Sequence, residues 1–115
     1  MEVKRGQVYY ATLDHQCGSV QGGYRPVIII QNDKGNAYSS TVVVALCTSV
    51  LKKEGQPTHV TIMNGSVFTK ATMVLAEQIL TIDKRRLLYY VGDLSEEHMQ
   101  RVDEALRVSL GLTMV

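Results

Sequence analysis

The 115-residue chain has two cysteines, no tryptophan, no long apolar run and a net charge of only +1. Each shortage excludes something. Cys17 and Cys47 are too few for a disulfide framework, and with no CxxC pair or Cys/His cluster they lack the spacing of a metal site. Each is expected to act as a small buried hydrophobe or a quiet thiol. No apolar stretch approaches the roughly 20 residues that span a bilayer. The start "MEVKRGQVYY" has no apolar core of the signal-peptide kind. A cytoplasmic protein with no membrane contact is expected. Internal repeats, low-complexity tracts and interdomain linkers are also missing, so residues 1–115 read as one domain. Its 45% hydrophobic and 20% charged content is that of an ordinary globular protein.

The near-zero net charge removes the global signature of a nucleic-acid binder and leaves only local clustering. Basic residues group at Lys4-Arg5, Lys52-Lys53 and Lys84-Arg85-Arg86. Acids gather at Asp93, Glu96, Glu97, Asp103 and Glu104. The segregation fits one basic face opposite an acidic helix. Solvated charges scattered in three dimensions fit it equally well.

What is present is mainly β. "QVYYATL" (7–13), "PVIIIQN" (26–32), "TVVVALCT" (41–48), "HVTIM" (59–63), "TMVLAEQI" (72–79) and "RLLYYVG" (86–92) are rich in β-branched and aromatic residues and bounded by turn formers. No helix of crossover length separates them, which predicts a curved, mainly antiparallel sheet. The near-continuous apolar runs 26–32 and 41–48 predict two central strands buried on both faces. Short helical turns fit "DKGNAYSS" and "TIDKRRL", where Thr81 and Asp83 offer cap chemistry. In the last twenty residues Ser95 caps, Glu96 and Glu97 fill the first turn, and Met99, Val102, Leu106 and Leu110 recur at helical spacing. Gly111 is placed to end this amphipathic helix. The architecture expected is a half-closed small β-barrel with one long terminal helix.

Few residues invite chemistry. In "GSVQGGYRPVIII" Arg25 precedes proline, which holds its backbone extended, beside the permissive Gly22 and Gly23. Its planar, always-protonated fork suits phosphate oxygens. An arginine paired with a core-edge carboxylate, or one that snorkels to solvent, fits the stretch as well. Thr48 and Ser49 place two hydroxyls where an apolar strand emerges, although threonine is also a good strand residue and serine a good turn residue. His15, His59 and His98 are dispersed. His59 reads as a strand start and His98 as a helix-surface residue. Of the six tyrosines, the pairs Tyr9-Tyr10 and Tyr89-Tyr90 are expected to send one ring to each strand face, leaving at least half of those rings in the core.

The blocks "VKRGQVYYATL", "GSVQGGYRPVIIIQND", "VVALCTS", "PTHVTI" and "LAEQILTIDKRRL", followed by "SEEHMQRVDEALRVSLGL", resemble the MazF/PemK family of toxins, most closely its Bacillus-type MazF subgroup, in order and over essentially the whole chain. The resemblance implies an SH3-like small barrel of the CcdB/PemK type and a homodimeric, cytoplasmic endoribonuclease. Such an enzyme cuts single-stranded RNA, chiefly mRNA, without a metal or other cofactor, leaving a 2′,3′-cyclic phosphate and a 5′-hydroxyl. Arg25 and Thr48 match the family's catalytic pair. Ser19, Gln21, Gly22, Asn32, Glu77 and Gln78 fall on its RNA-contacting segments, and Arg5, Ser49 and Arg86 complete the candidate contacts. A MazE-like antitoxin is implied, its acidic tail lying in the RNA groove. The chain departs from the family where Val20 replaces the usual glutamate of "GSEQGG" and His15 a frequent proline. Two rivals stand beside this reading: a CcdB-like toxin acting on gyrase, which depends on a C-terminal tryptophan this chain lacks, and an RNA-binding module without catalysis.

Overall fold

The computed structural model describes residues 2–13, 23–63, 65 and 67–113. Six antiparallel strands form one sheet: β1 (Gln7–Leu13), β2 (Gly23–Ile29), β3 (Thr41–Thr48), β4 (His59–Ile62), β5 (Thr72–Asp83) and β6 (Leu87–Asp93). Their spatial order is β4-β5-β3-β2-β1-β6. Consecutive strands pair antiparallel along most of this order, as short connections require. Among the described residues the sheet curves without closing: β4 and β6 remain its two edges, so the half-closed barrel stops at an open sheet.

The apolar runs explain the centre. On β3, Val42, Val44 and Leu46 join Val27 and Ile29 of β2 and Tyr9 and Ala11 of β1 in one core cluster. Ala45 and Cys47 point the other way and join Val8, Ile28, Val60, Ile62 and Val74 in a second. Alternating side chains of one strand thus feed both faces, which is why the run is continuous rather than patterned. The second cluster is roofed by a helix, α2 (Glu96–Ser109), through Val102, Ala105 and Leu106.

Helix α2 is built from local rules. The Ser95 hydroxyl accepts from the His98 amide at 3.1 Å, and Glu96 and Glu97 face the positive end of the helix dipole. At the other end Gly111 adopts φ +75°, the Leu112 amide donates to the Arg107 carbonyl at 2.8 Å and that of Gly111 to Val108 at 3.1 Å. This crossed pair satisfies the last carbonyls. Leu110, expected on the buried stripe, is the cap residue and is exposed instead.

Three strand boundaries moved for physical reasons. β2 starts at Gly23, where it meets Leu13 of β1, and stops at Ile29 rather than Asn32. Asn32 is taken as the cap of the short helix α1 (Asp33–Tyr38), its side chain accepting from the Gly35 amide at 2.8 Å. β5 runs on to Asp83, four residues beyond the expected end. Its pairing with β3 jumps from Ala45–Ile79 to Leu46–Leu75, so Ala76, Glu77 and Gln78 bulge out of that ladder. Asp83, not Thr81, then caps the 3-10 turn Lys84–Arg86.

Candidate active-site cleft

The β2–β3 register places the two principal candidates together. Val27 pairs with Leu46 and Ile28 with Ala45. Continued two residues past the last pair, the same register sets Arg25 opposite Thr48, on strands that part there to leave a cleft. Arg25, Thr48 and Ser49 line one cavity of about 350 Å³. Arg25 sits inside β2 and is half-buried, and Thr48 ends β3 almost fully buried. The Thr48 hydroxyl oxygen accepts from the Val50 amide at 3.1 Å. That bond fixes the oxygen and leaves the hydroxyl proton to be donated elsewhere.

Several residues without a sequence signal complete the cavity. Lys70 adds a second cation, Thr69 and Thr72 add hydroxyls, and Phe68 and Tyr24 add apolar walls. The Thr72 hydroxyl donates to the Lys70 carbonyl at 3.0 Å, bracing that loop. Lys70 has no charged neighbour in sequence and so belongs to none of the basic groups.

Thr48 also borders a second hollow of about 380 Å³ that contains Lys52, Lys53, His59, Glu77 and Gln78. The β5 bulge aims Glu77 and Gln78 here. His59 Nε2 meets Glu77 Oε2 at 2.8 Å while its Nδ1 meets the Lys53 carbonyl at 3.0 Å. Both neighbours are acceptors, so only the doubly protonated ring donates both contacts at once; the neutral ring serves one. His59 is therefore more than a strand start: it ties the bulge to the Lys53 loop.

Other candidates lie elsewhere. Arg5 and Asn32 border a third hollow, beside the end of α2. The Arg5 guanidinium donates to the Ile30 carbonyl at 2.8 Å and to Asp103 at 2.7 Å. Its backbone amide donates to Asp33, holding that carboxyl below the usual range. Arg86 lies in the 3-10 turn and lines none of the three hollows. Ser19, Gln21 and Gly22, with His15, Cys17 and Val20, fall outside the described residues.

Two expectations change. The first basic group does not lie opposite the acidic helix, because Arg5 is bonded directly to Asp103 of α2. In the third basic group Arg85 chelates Asp83, whose carboxyl falls to about 2 through that side-chain bond, and the Lys84 ammonium donates to the Asn36 carbonyl. Of the four paired tyrosines only Tyr9 is core. Tyr89 and Tyr90 lie on β6, an edge strand of the sheet among the described residues, and are about half exposed.

Comparison with known proteins places this geometry. Residues 4–110 match the family described as the PemK-like, MazF-like toxin of type II toxin-antitoxin system. The Endoribonuclease EndoA of Bacillus subtilis (strain 168) is 50% identical over 113 residues, covering 97% of this chain and 97% of its own length. Among solved structures, an endoribonuclease in complex with its cognate antitoxin from a mycobacterial species superposes with a TM-score of 0.79 at 28% identity, over 98% of this chain and 99% of that one. A MazF from Deinococcus radiodurans shares the fold at a TM-score of 0.81 and 22% identity, over 96% of this chain and 98% of that one.

Proposed function

Because the chain belongs to the PemK-like, MazF-like toxin family, we propose that it is the toxin of a type II toxin-antitoxin pair and a metal-independent endoribonuclease cutting single-stranded RNA, chiefly mRNA. The observation that carries this reading is the meeting of Arg25 and Thr48 in one cavity. In the proposed step the ribose 2′-oxygen attacks the adjacent phosphorus in line, forming the 2′-oxygen–phosphorus bond and losing its proton. The phosphorus–5′-oxygen bond breaks and the leaving oxygen takes up a proton. The products are a 2′,3′-cyclic phosphate and a 5′-hydroxyl.

Negative charge grows on the non-bridging oxygens during the attack, and donors already aimed at them lower the barrier without reorganising. The Arg25 fork and the Thr48 proton serve that purpose. A guanidinium keeps its proton at neutral pH, so Arg25 stabilises charge rather than accepting the 2′-proton. Lys70 adds charge at the same cavity, and Ser49 a hydroxyl. Glu77 and Gln78 in the adjoining hollow supply an acceptor-only group and an amide, the pair of chemistries that read base edges. By resemblance alone, Ser19, Gln21 and Gly22 contact RNA from the loop before β2. Arg5, Asn32 and Arg86 enter only as contacts to RNA running beyond the two hollows.

The same reading makes the protein a cytoplasmic homodimer inhibited by a MazE-like antitoxin whose tail occupies the RNA groove. The named relatives support endoribonuclease activity over the gyrase-poison and non-catalytic readings. No helix among the described residues is long and apolar enough to cross a membrane. The test is to incubate purified protein with a long single-stranded RNA in EDTA and map the 5′ ends. Discrete cuts abolished by Arg25→Ala, with binding retained, are expected. Absence of cleavage across several RNAs refutes the reading.

A further inference from the structure

Three tyrosines, Tyr89, Tyr10 and Tyr24, stand together on the adjacent strands β6, β1 and β2, and the last two line the Arg25 cavity. Tyr10 is paired with Tyr89 across β1 and β6. Its ring lies 5.0 Å from that of Tyr24, nearly parallel at 16°, and 5.3 Å from that of Tyr89. The Tyr24 and Tyr89 hydroxyls are hydrogen-bonded to each other. Tyr24 and Tyr89 keep 50% and 52% of their surface exposed, against 3% for Tyr9. The cluster is thus a continuous aromatic surface, about half open at Tyr24 and Tyr89, whose two hydroxyls are paired with each other.

We propose that Tyr24 and Tyr89, backed by Tyr10, form a stacking platform for a nucleobase next to the scissile phosphate. The inference rests on the RNA-cleavage reading above and extends it to a separate contact. Continuity favours RNA as the occupant: Tyr10 and Tyr24 are walls of the cavity that holds Arg25, Thr48 and Lys70. A strand whose phosphate lies on those cations carries its neighbouring base toward the rings. Stacking on tyrosine tolerates any base, because each has a π face. The platform therefore adds affinity and alignment, and leaves discrimination between bases to groups such as Glu77 and Gln78.

The experiment uses an oligonucleotide spanning a mapped cut, with a 2′-deoxy sugar at the attacking position so that it binds without being cleaved. Tyr24→Leu and Tyr89→Leu are expected to weaken binding about ten-fold each. The slope of log affinity against log salt stays unchanged, since no phosphate contact is lost. Tyr89→Phe retains affinity. Tyr89→Trp, which does not depend on the leucine variants folding, binds at least as tightly and places the sole tryptophan of the chain where stacking quenches its emission. If the wild type cleaves RNA while both leucine variants bind like it and the Tyr89→Trp emission is unmoved, the platform is overturned and the cleavage reading stands. If the leucine variants sediment as monomers where the wild type is a dimer, the rings cover a second copy and the proposal fails. If the wild type neither cuts nor binds, both readings fail together.

Discussion

Replacing Thr48 with valine separates what its hydroxyl does for the fold from what it does for the reaction. The two side chains have nearly the same shape, and Thr48 is 5% exposed, so packing is preserved. Among the described residues the hydroxyl makes one hydrogen bond, from the Val50 amide at 3.1 Å. Val50 lies at an exposed bend where its amide can turn to water. The stability loss is therefore about 1 kcal/mol, a net protein hydrogen bond, or a fall of a few degrees in melting temperature for a chain this size. The rate loss is of a different order. A donor aimed at charge developing in the transition state is worth about 10²- to 10³-fold. Single-turnover cleavage of a fluorophore-quencher oligonucleotide should show that loss at a temperature where both proteins are folded. Thr48→Ser, which keeps the hydroxyl, should recover most of it. A Thr48→Val rate within about three-fold of wild type is less than the worth of one hydrogen bond and would refute the role assigned to Thr48.

Arg25→Lys keeps the charge and loses the planar fork, so cleavage should drop at least about ten-fold; near-full activity means that bidentate geometry is irrelevant. The hydrogen bond with Tyr89 pushes the Tyr24 phenol up to about 12. With the unfolded phenol near 10, this contribution to stability is complete below about pH 10 and is lost as pH rises toward 12. Tyr24→Phe should consequently melt with a shallower alkaline decline than wild type, and an equally steep decline contradicts the bond. Burial pushes the Cys47 thiol up and closes it to solvent. In a Cys17→Ser background a colorimetric thiol reagent should find no reactive group until denaturant is added, whereas rapid labelling of the native protein would contradict the packing of β3.

Sequence showed most clearly what local chemistry determines. The β3 run announced itself by its β-branched residues, and α2 by Ser95, its two glutamates and the spacing of Met99, Val102 and Leu106. The end of β5 was hidden because Glu77 and Gln78 look like the polar close of a strand. Only the pairing of Ile79 with Ala45 shows that the ladder resumes. The meeting of Arg25 with Thr48 depends on the β2–β3 register, a long-range property that neither segment carries by itself. Arg5 looked like part of a basic cluster since its partner, Asp103, stands 98 positions away. Lys70 was silent for the opposite reason, being a lone cation that becomes significant only through its neighbours in space.

The bulge in β5 bears on how such proteins diversify. Leu75 and Ile79 are each held in the β3 ladder, so Glu77 and Gln78 between them carry no pairing with β3. Exchanging Gln78 for another polar residue changes what faces the hollow and leaves the β3–β5 pairing alone, whereas exchanging Glu77 also removes its bond to His59. In the proposed RNA-cleavage reading, recognition and strand pairing are thereby separated at this point in the chain. Under the proposed reading of RNA by Glu77 and Gln78, substitutions at these positions alter the target while the β2–β3 register that brings Arg25 and Thr48 together stays as it is.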